Sequence, residues 1–184
     1  MGDFTAQELT AIFVMQGFSG LSLFCVFLLM ALGLAIIFGQ MGVINMAHGE
    51  FLTLGAYITY LVSYQAAEWG ATALTWYFPV AIVAAFAGTF ALGYLVERFM
   101  IRYLYNRPLD TLLATWGVSL ILQQTVRTIF GPTNREVGNP SWMSGSFEVG
   151  EILITTNRLW IVVFSLVVFA ILLIVLKRTR FGLQ

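Results

Sequence analysis

The residues best suited to chemistry lie in one stretch, Gly39-Gln-Met-Gly-Val-Ile-Asn-Met-Ala-His-Gly-Glu-Phe-Leu-Thr-Leu-Gly55. It holds His48, the single histidine, and Glu50, one of few carboxylates beside an apolar run. Asn45 and Thr53 add polar groups. Ionisable side chains inside a membrane usually serve transport, and a Gly-rich polar break there needs protein or a cavity around it. The chemistry on offer is that of a translocation path or its gate, with Asn45, His48, Glu50 and Thr53 as candidates. A plainer reading keeps His48 and Glu50 as an interfacial pair that wets the start of a helix, whose dipole favours an ionised Glu50. The two are two residues apart and do not face each other on one helix. Catalysis has little support: there is no H-E-x-x-H and no nucleophile elbow. With one His and one Cys (Cys25), a metal site and an intrachain disulfide are not expected.

A second polar set runs Thr111, Thr115, Ser119, Gln123 and Arg127, each four residues after the last. On a 3.6-residue helix this row winds slowly as a stripe. Gln123 is a further candidate for the path. Thr111, Thr115 and Ser119 fit a helix interface or a path, with interhelical hydrogen bonds worth about 0.6–2 kcal/mol each. Arg127 should snorkel outward, and Asp110, in a first helical turn, compensates the dipole.

These residues need long apolar helices to position them. Hydrophobic residues make up 59% of the 184 positions and charged ones 10%, with mean hydropathy +0.87. A soluble domain carries about 25% charged residues, and apolar runs of about 20 residues mark membrane spans. The formal net charge is zero, so nucleic acid is not an expected partner. The expected fold is an all-α integral membrane protein of about five spans, in one permease domain over residues 1–184. The spans are read at Gly17 to Phe38, Met46 to Tyr64, Trp76 to Leu95, Pro108 to Phe130 and Leu159 to Leu176. The break from Gly39 precedes the second span, with Asn45 as its N-cap. Residues 65–75 form a short loop. Ala81, Ala84, Ala85, Gly88 and Ala91 give the third span a small-residue packing face. Phe147-Glu-Val149 and Ile152-Leu-Ile154 can pair as a hairpin within the loop 131–157.

Basic residues set the orientation. Arg98, Arg102 and Arg107 follow span three, and Lys177, Arg178 and Arg180 follow span five. The positive-inside rule makes both ends cytoplasmic, so the N-terminus and the loop 131–157 face out. Trp69, Trp76, Trp142 and Trp160 fall at the outer ends as an aromatic belt. Arg135 and Arg158 are the exceptions. The first 16 residues contain no Lys or Arg, so they do not read as a secretory signal.

At Gly33-Leu-Ala-Ile-Ile-Phe-Gly39, Gly42-Val-Ile-Asn-Met-Ala-His-Gly-Glu-Phe51 and Leu54-Gly-Ala-Tyr57 the chain resembles the LivH-type permeases. These are the membrane subunits of ABC importers for branched-chain amino acids and related solutes. Arg107-Pro-Leu-Asp-Thr-Leu-Leu-Ala-Thr-Trp-Gly-Val-Ser-Leu-Ile-Leu-Gln-Gln124 and Phe130-Gly-Pro-Thr-Asn-Arg-Glu-Val-Gly-Asn-Pro-Ser-Trp-Met-Ser144 are similar to the urea branch, the UrtB-type permeases. The resemblance runs from about Leu32 onward. It implies a multi-pass subunit of the bacterial inner membrane that imports a small polar solute, urea first and branched-chain amino acids as the alternative. It implies a second permease subunit, cytoplasmic ATP-binding subunits and a periplasmic solute-binding protein as partners, besides the lipid bilayer. No cofactor is expected in this chain. ATP would be hydrolysed by the partners, and no G-x-x-x-x-G-K-[ST] loop is present. Permeases of this kind continue past the position of Phe181-Gly-Leu-Gln184, so the chain is read as the N-terminal part of a larger permease fold. A passive channel and a non-transporting membrane scaffold are the competing classes.

Overall fold

The computed structural model describes residues 5–140, 142–149 and 152–178. The expectations on Arg180 and on the segment Phe181 to Gln184 lie outside these residues. Five long helices dominate: α1 (Ala6–Met41), α2 (His48–Trp69), α3 (Ala71–Val96), α4 (Pro108–Phe130) and α5 (Thr156–Arg178). A π-helical turn, Glu97–Ile101, and a short turn, Arg102–Leu104, prolong α3. The nearly all-helical membrane fold is the expected one. Three helices are long and apolar enough to cross a bilayer: Gln7–Met41, Thr72–Leu104 and Thr156–Arg178. α2 and α4, with 22 and 23 residues, reach about 33 Å and match the bilayer in length. They are less apolar because they carry the polar residues that face each other.

The chain divides into two compact units, Gly33–Pro140 and the remainder. The first is organised by the hairpin of α2 and α3. Its turn is tighter than the expected loop of residues 65–75: α2 runs on to Trp69, and Gly70 alone separates it from α3. Gly70 has φ 107°, where a side chain would be strained, so one glycine can reverse the chain. Ala66, Tyr77 and Ala81 pack as a buried cluster with Val62, Ala73 and Leu74. Ala84, Ala85 and Gly88 are half-buried along the same face, while Ala91 is exposed. Pro79 lies inside α3 without ending it, as proline does in membrane helices whose neighbours satisfy the freed carbonyl.

Helix α4 starts at Pro108, in the first helical position, where its missing N–H costs nothing. It ends at Gly131, whose N–H reaches the Arg127 carbonyl. Residues 131–140 fold back onto the same unit. The Tyr77 hydroxyl donates to the Gly138 carbonyl, and Pro140 is fully buried.

In the second unit the hairpin forms as expected. Strand β1 (Ser146–Val149) pairs antiparallel with β2 (Ile152–Thr155), Phe147 opposite Ile154. Helix α5 begins directly after it, three residues before the expected Leu159. The Thr156 N–H bonds the Gly145 carbonyl at 3.0 Å, and the rings of Trp142 and Trp160 meet edge to face at 5.1 Å.

The α2–α3 contact depends on small residues. A Cβ on Gly88 would meet Ile58 Cδ1 at 2.5 Å, the free end of a side chain that can turn aside. Gly88→Ala should therefore cost less than about 1 kcal/mol, whereas Gly88→Leu overpacks the contact and should cost about 1–3 kcal/mol. Unfolding of the two variants in micelles distinguishes them, and equal stability would contradict this packing.

Candidate functional site

The break before α2 is built from hydrogen bonds that replace the helix ladder. Gly42 closes α1 with φ 64°, the left-handed conformation of a helix-ending glycine, and its N–H donates to the Phe38 carbonyl at 2.8 Å. Val43, Asn45 and Ala47 then turn inward and are buried. Asn45 is not the N-cap that the sequence suggests; Ala47 takes that position, with no side-chain cap bond. The Asn45 Oδ1 instead accepts the Ala47 N–H at 3.0 Å, forming an Asx turn, and its carbonyl accepts the His48 N–H at 3.3 Å. The Met46 N–H, with no helix partner, donates to Thr115 Oγ1 on α4 at 3.1 Å.

The position of the break relative to α1 is also fixed. The His48 ring lies against Gly33, where a Cβ would meet its Cε1 at 3.1 Å and Nε2 at 3.3 Å. Helix α1 continues from Gly33 to Met41, about 12 Å further at 1.5 Å per residue. The chain then returns along it, so α2 starts well inside the end of α1.

Along the seam between α2 and α4 the contacts advance together. Met46 meets Thr115, Glu50 meets Ser119 and Gln123, and Tyr57 and Tyr60 meet Phe130. The two helices therefore run parallel. At the centre, Glu50 Oε1 accepts a bond from Ser119 Oγ at 3.1 Å and one from Gln123 Nε2 at 2.7 Å. Gln123 Nε2 also lies 3.2 Å from Ser119 Oγ. Ser119 is buried, and Glu50 and Gln123 are half-buried. Among the described residues no Lys or Arg pairs with Glu50; Arg107 instead pairs with Asp110 at 3.5 Å. Neutral donors thus satisfy the carboxylate, which makes burial tolerable.

His48 and Glu50 leave α2 in different directions. His48 faces α1 and a cavity of about 340 Å³ lined by Asn45, Phe51, Phe90, Glu97 and Ile101 among others. Glu50 faces α4. The remaining candidates divide similarly. Thr115 joins the break to α4, whereas Thr111 bonds the Leu104 and Arg107 carbonyls at 3.0 and 2.9 Å and ties down the start of α4. Thr53 returns its hydroxyl to the Gly49 carbonyl at 3.2 Å and does not join the cluster. Arg127 is exposed. Among the described residues no group of three His, Cys, Asp or Glu side chains could hold a metal ion.

Beyond the seam, the Tyr105 phenol is raised above its ordinary pKa by burial and by the adjacent Glu97 carboxylate, against a smaller opposing effect of Arg102. The aromatic contacts of Phe130 and the cavity beside Glu97 had no signal in the sequence. The Glu50–Gln123 pair had one, the row of polar residues four apart.

The fold is thus a helical one with a polar break beside a hydroxyl- and amide-lined seam. The profile of the family described as branched-chain amino acid transport system permease component covers residues 17–184, and the chain belongs to that family. Family members are permease subunits of ABC transporters, inner-membrane proteins rather than enzymes. The chain is 29% identical over 180 residues to the high-affinity branched-chain amino acid transport system permease protein BraD of Pseudomonas aeruginosa, covering 92% of this chain and 57% of that protein. It is 32% identical over 164 residues to LivH of Salmonella typhimurium, and 31% over 160 residues to LivH of Escherichia coli, in both cases covering 83% of this chain and 51% of the relative. The chain spans about half the length of these curated relatives. No solved structure matches it.

Replacing Thr115 by Val keeps its shape but leaves the Met46 N–H without an acceptor. That should cost about 1–3 kcal/mol. Ser119→Ala should cost less, because Glu50 keeps Gln123. Denaturation of both variants in micelles tests the ranking, and a Thr115→Val protein as stable as the parent would contradict it.

Proposed function

We propose that this chain supplies part of the solute path of an ATP-driven importer, with the α2–α4 seam as path and Glu50, Ser119 and Gln123 as its gate. One observation carries this reading: a carboxylate held inside the seam by neutral donors alone. Those donors can exchange partners with a passing solute, whose own N–H groups take their place on the carboxylate, without an ion pair being separated. Asn45, Thr111 and Thr115 shape the break and the start of α4, while His48 borders the neighbouring cavity. The partners in this proposal are a second permease subunit, two cytoplasmic ATP-binding subunits and a periplasmic solute-binding protein. The N-terminus and residues 131–157 would face the periplasm, and the whole chain would form one transmembrane permease domain.

The solute in this reading is small and polar. Urea is favoured by the Arg107–Gln124 and Phe130–Ser144 strings, and a path of hydroxyl and amide groups suits a neutral molecule. The names of the BraD and LivH relatives favour branched-chain amino acids. Uptake of labelled urea in cells carrying the full transport system, with and without excess leucine, separates the two. ATP depletion should abolish uptake, and a flux that persists without ATP would instead support a passive channel. Glu50→Gln keeps the shape and one oxygen able to accept from Gln123 and Ser119, but removes the charge that strengthens these bonds. It should lower uptake at least about tenfold, the loss of one charge-assisted hydrogen bond, with membrane levels of the protein unchanged. Unchanged uptake in this variant would remove Glu50 from the gate.

A further inference from the structure

Arg135 is one of two arginines that the charge asymmetry of the loops leaves unexplained, and its position is specific. Its Nε and Nη2 donate to the carbonyl of Phe130, the last residue of α4, at 3.3 and 2.8 Å. A cation is favourable at that helix end, where free carbonyls and the dipole concentrate negative potential. The carbonyl engages two nitrogens of a group with five N–H donors in a fixed plane, so donors remain for a second acceptor. Beside the guanidinium lies a cavity of about 190 Å³ lined by Ala56, Tyr57, Tyr60, Asn134, Arg135 and Val137. Two of its lining residues are aromatic and both pack on Phe130: Tyr57 lies 4.5 Å from its ring centroid to centroid, and Tyr60 meets it edge-on at 6.2 Å.

The cavity is in line with the Glu50 cluster. Tyr57 is seven residues beyond Glu50 on α2, and Phe130 seven beyond Gln123 on α4, which places the Tyr57–Phe130 contact about 10 Å further along both helices. Residues 131–140 are held over this end by the Tyr77–Gly138 bond and the buried Pro140, so the cavity has a fixed wall rather than a loose loop.

We propose that this cavity is a vestibule that binds a small solute through a carbonyl or carboxylate oxygen on Arg135, before the solute passes the Tyr57–Phe130 contact toward Glu50. The inference rests on the seam being the path, and it assigns the chemistry that admits a solute to it. Arg135 offers donors only, so it selects an oxygen acceptor. The phenols of Tyr57 and Tyr60 and the Asn134 amide accept as well as donate, so they can receive the N–H groups of the same solute. Cavity size restricts the ligand to a few heavy atoms or a short side chain.

Binding to the purified chain in micelles tests this without any transport step. Saturation-transfer NMR is recorded with L-leucine, L-leucinamide and N-methylurea as separate probes. At least one probe should give a signal that weakens at least about tenfold in affinity for Arg135→Gln, while Arg127→Gln, an exposed arginine in the last turn of α4, leaves it unchanged. A signal from leucine alone identifies a carboxylate; signals from leucinamide or methylurea identify a neutral carbonyl. No signal from any probe, or equal signals for parent and Arg135→Gln at unchanged helical content, overturns the vestibule. Uptake reports on the seam separately: Arg135→Gln should raise the apparent KM with little change in maximal rate, whereas Glu50→Gln lowers the rate. Loss of uptake in Glu50→Gln beside an unaltered KM in Arg135→Gln would leave the gate standing and reject the vestibule.

Discussion

The structure depends on one constraint: inside a bilayer no water satisfies a backbone N–H that leaves the helix ladder. The break between α1 and α2 leaves several such groups, and those of Gly42, Ala47 and Met46 find partners through residues whose types the sequence shows. Gly42 turns the chain and bonds back to Phe38, Asn45 accepts from Ala47, and Thr115 accepts from Met46. The last bond matters most because its acceptor is 69 residues away in the chain. It couples the break to α4, sets the pairing of the two parallel helices, and so brings Glu50 beside Ser119 and Gln123.

Given that pairing, the division of labour among the helices follows. α1, α3 with its extension, and α5 are by length and composition able to cross a bilayer. α2 and α4 hold their polar groups against each other. The α2–α3 hairpin, closed by Gly70 and filled by Ala66, Tyr77 and Ala81, is the rigid body on which the seam is mounted. Tyr77 extends that body to residues 131–140 through Gly138.

Much of this was legible in the sequence because membrane helices announce themselves by composition and breaks by glycine and proline. The span read from Pro108 to Phe130 is α4 itself, and the apolar triplets 147–149 and 152–154 pointed to the hairpin. The four-residue polar row indicated that α4 turns one face inward. Legibility failed where the local path of the backbone, rather than residue type, decides a group's partner. Asn45 is a good N-cap by type, yet the demand to satisfy Ala47 in a buried turn took its oxygen. The loop expected at 65–75 is absent because Gly70 reverses the chain alone, and the residues around it are apolar enough to remain helical. The position of the start of α2 along α1 followed only from the contact between His48 and Gly33. The use of Arg135 required knowing that Phe130 ends its helix within reach.

Whether the seam carries water and solute, or only packs two helices, is decided most directly by accessibility in the assembled transporter. In a background lacking Cys25, Gln123→Cys and Ile121→Cys are each challenged with a membrane-impermeant, water-soluble thiol reagent. Gln123 faces the seam and Ile121 is an exposed apolar position on α4. If the seam is the path, Gln123→Cys labels, transported solute protects it, and Ile121→Cys stays unlabelled in lipid. If Gln123→Cys resists the reagent in every state of the ATP cycle, the Glu50 cluster is a packing contact and the path lies elsewhere.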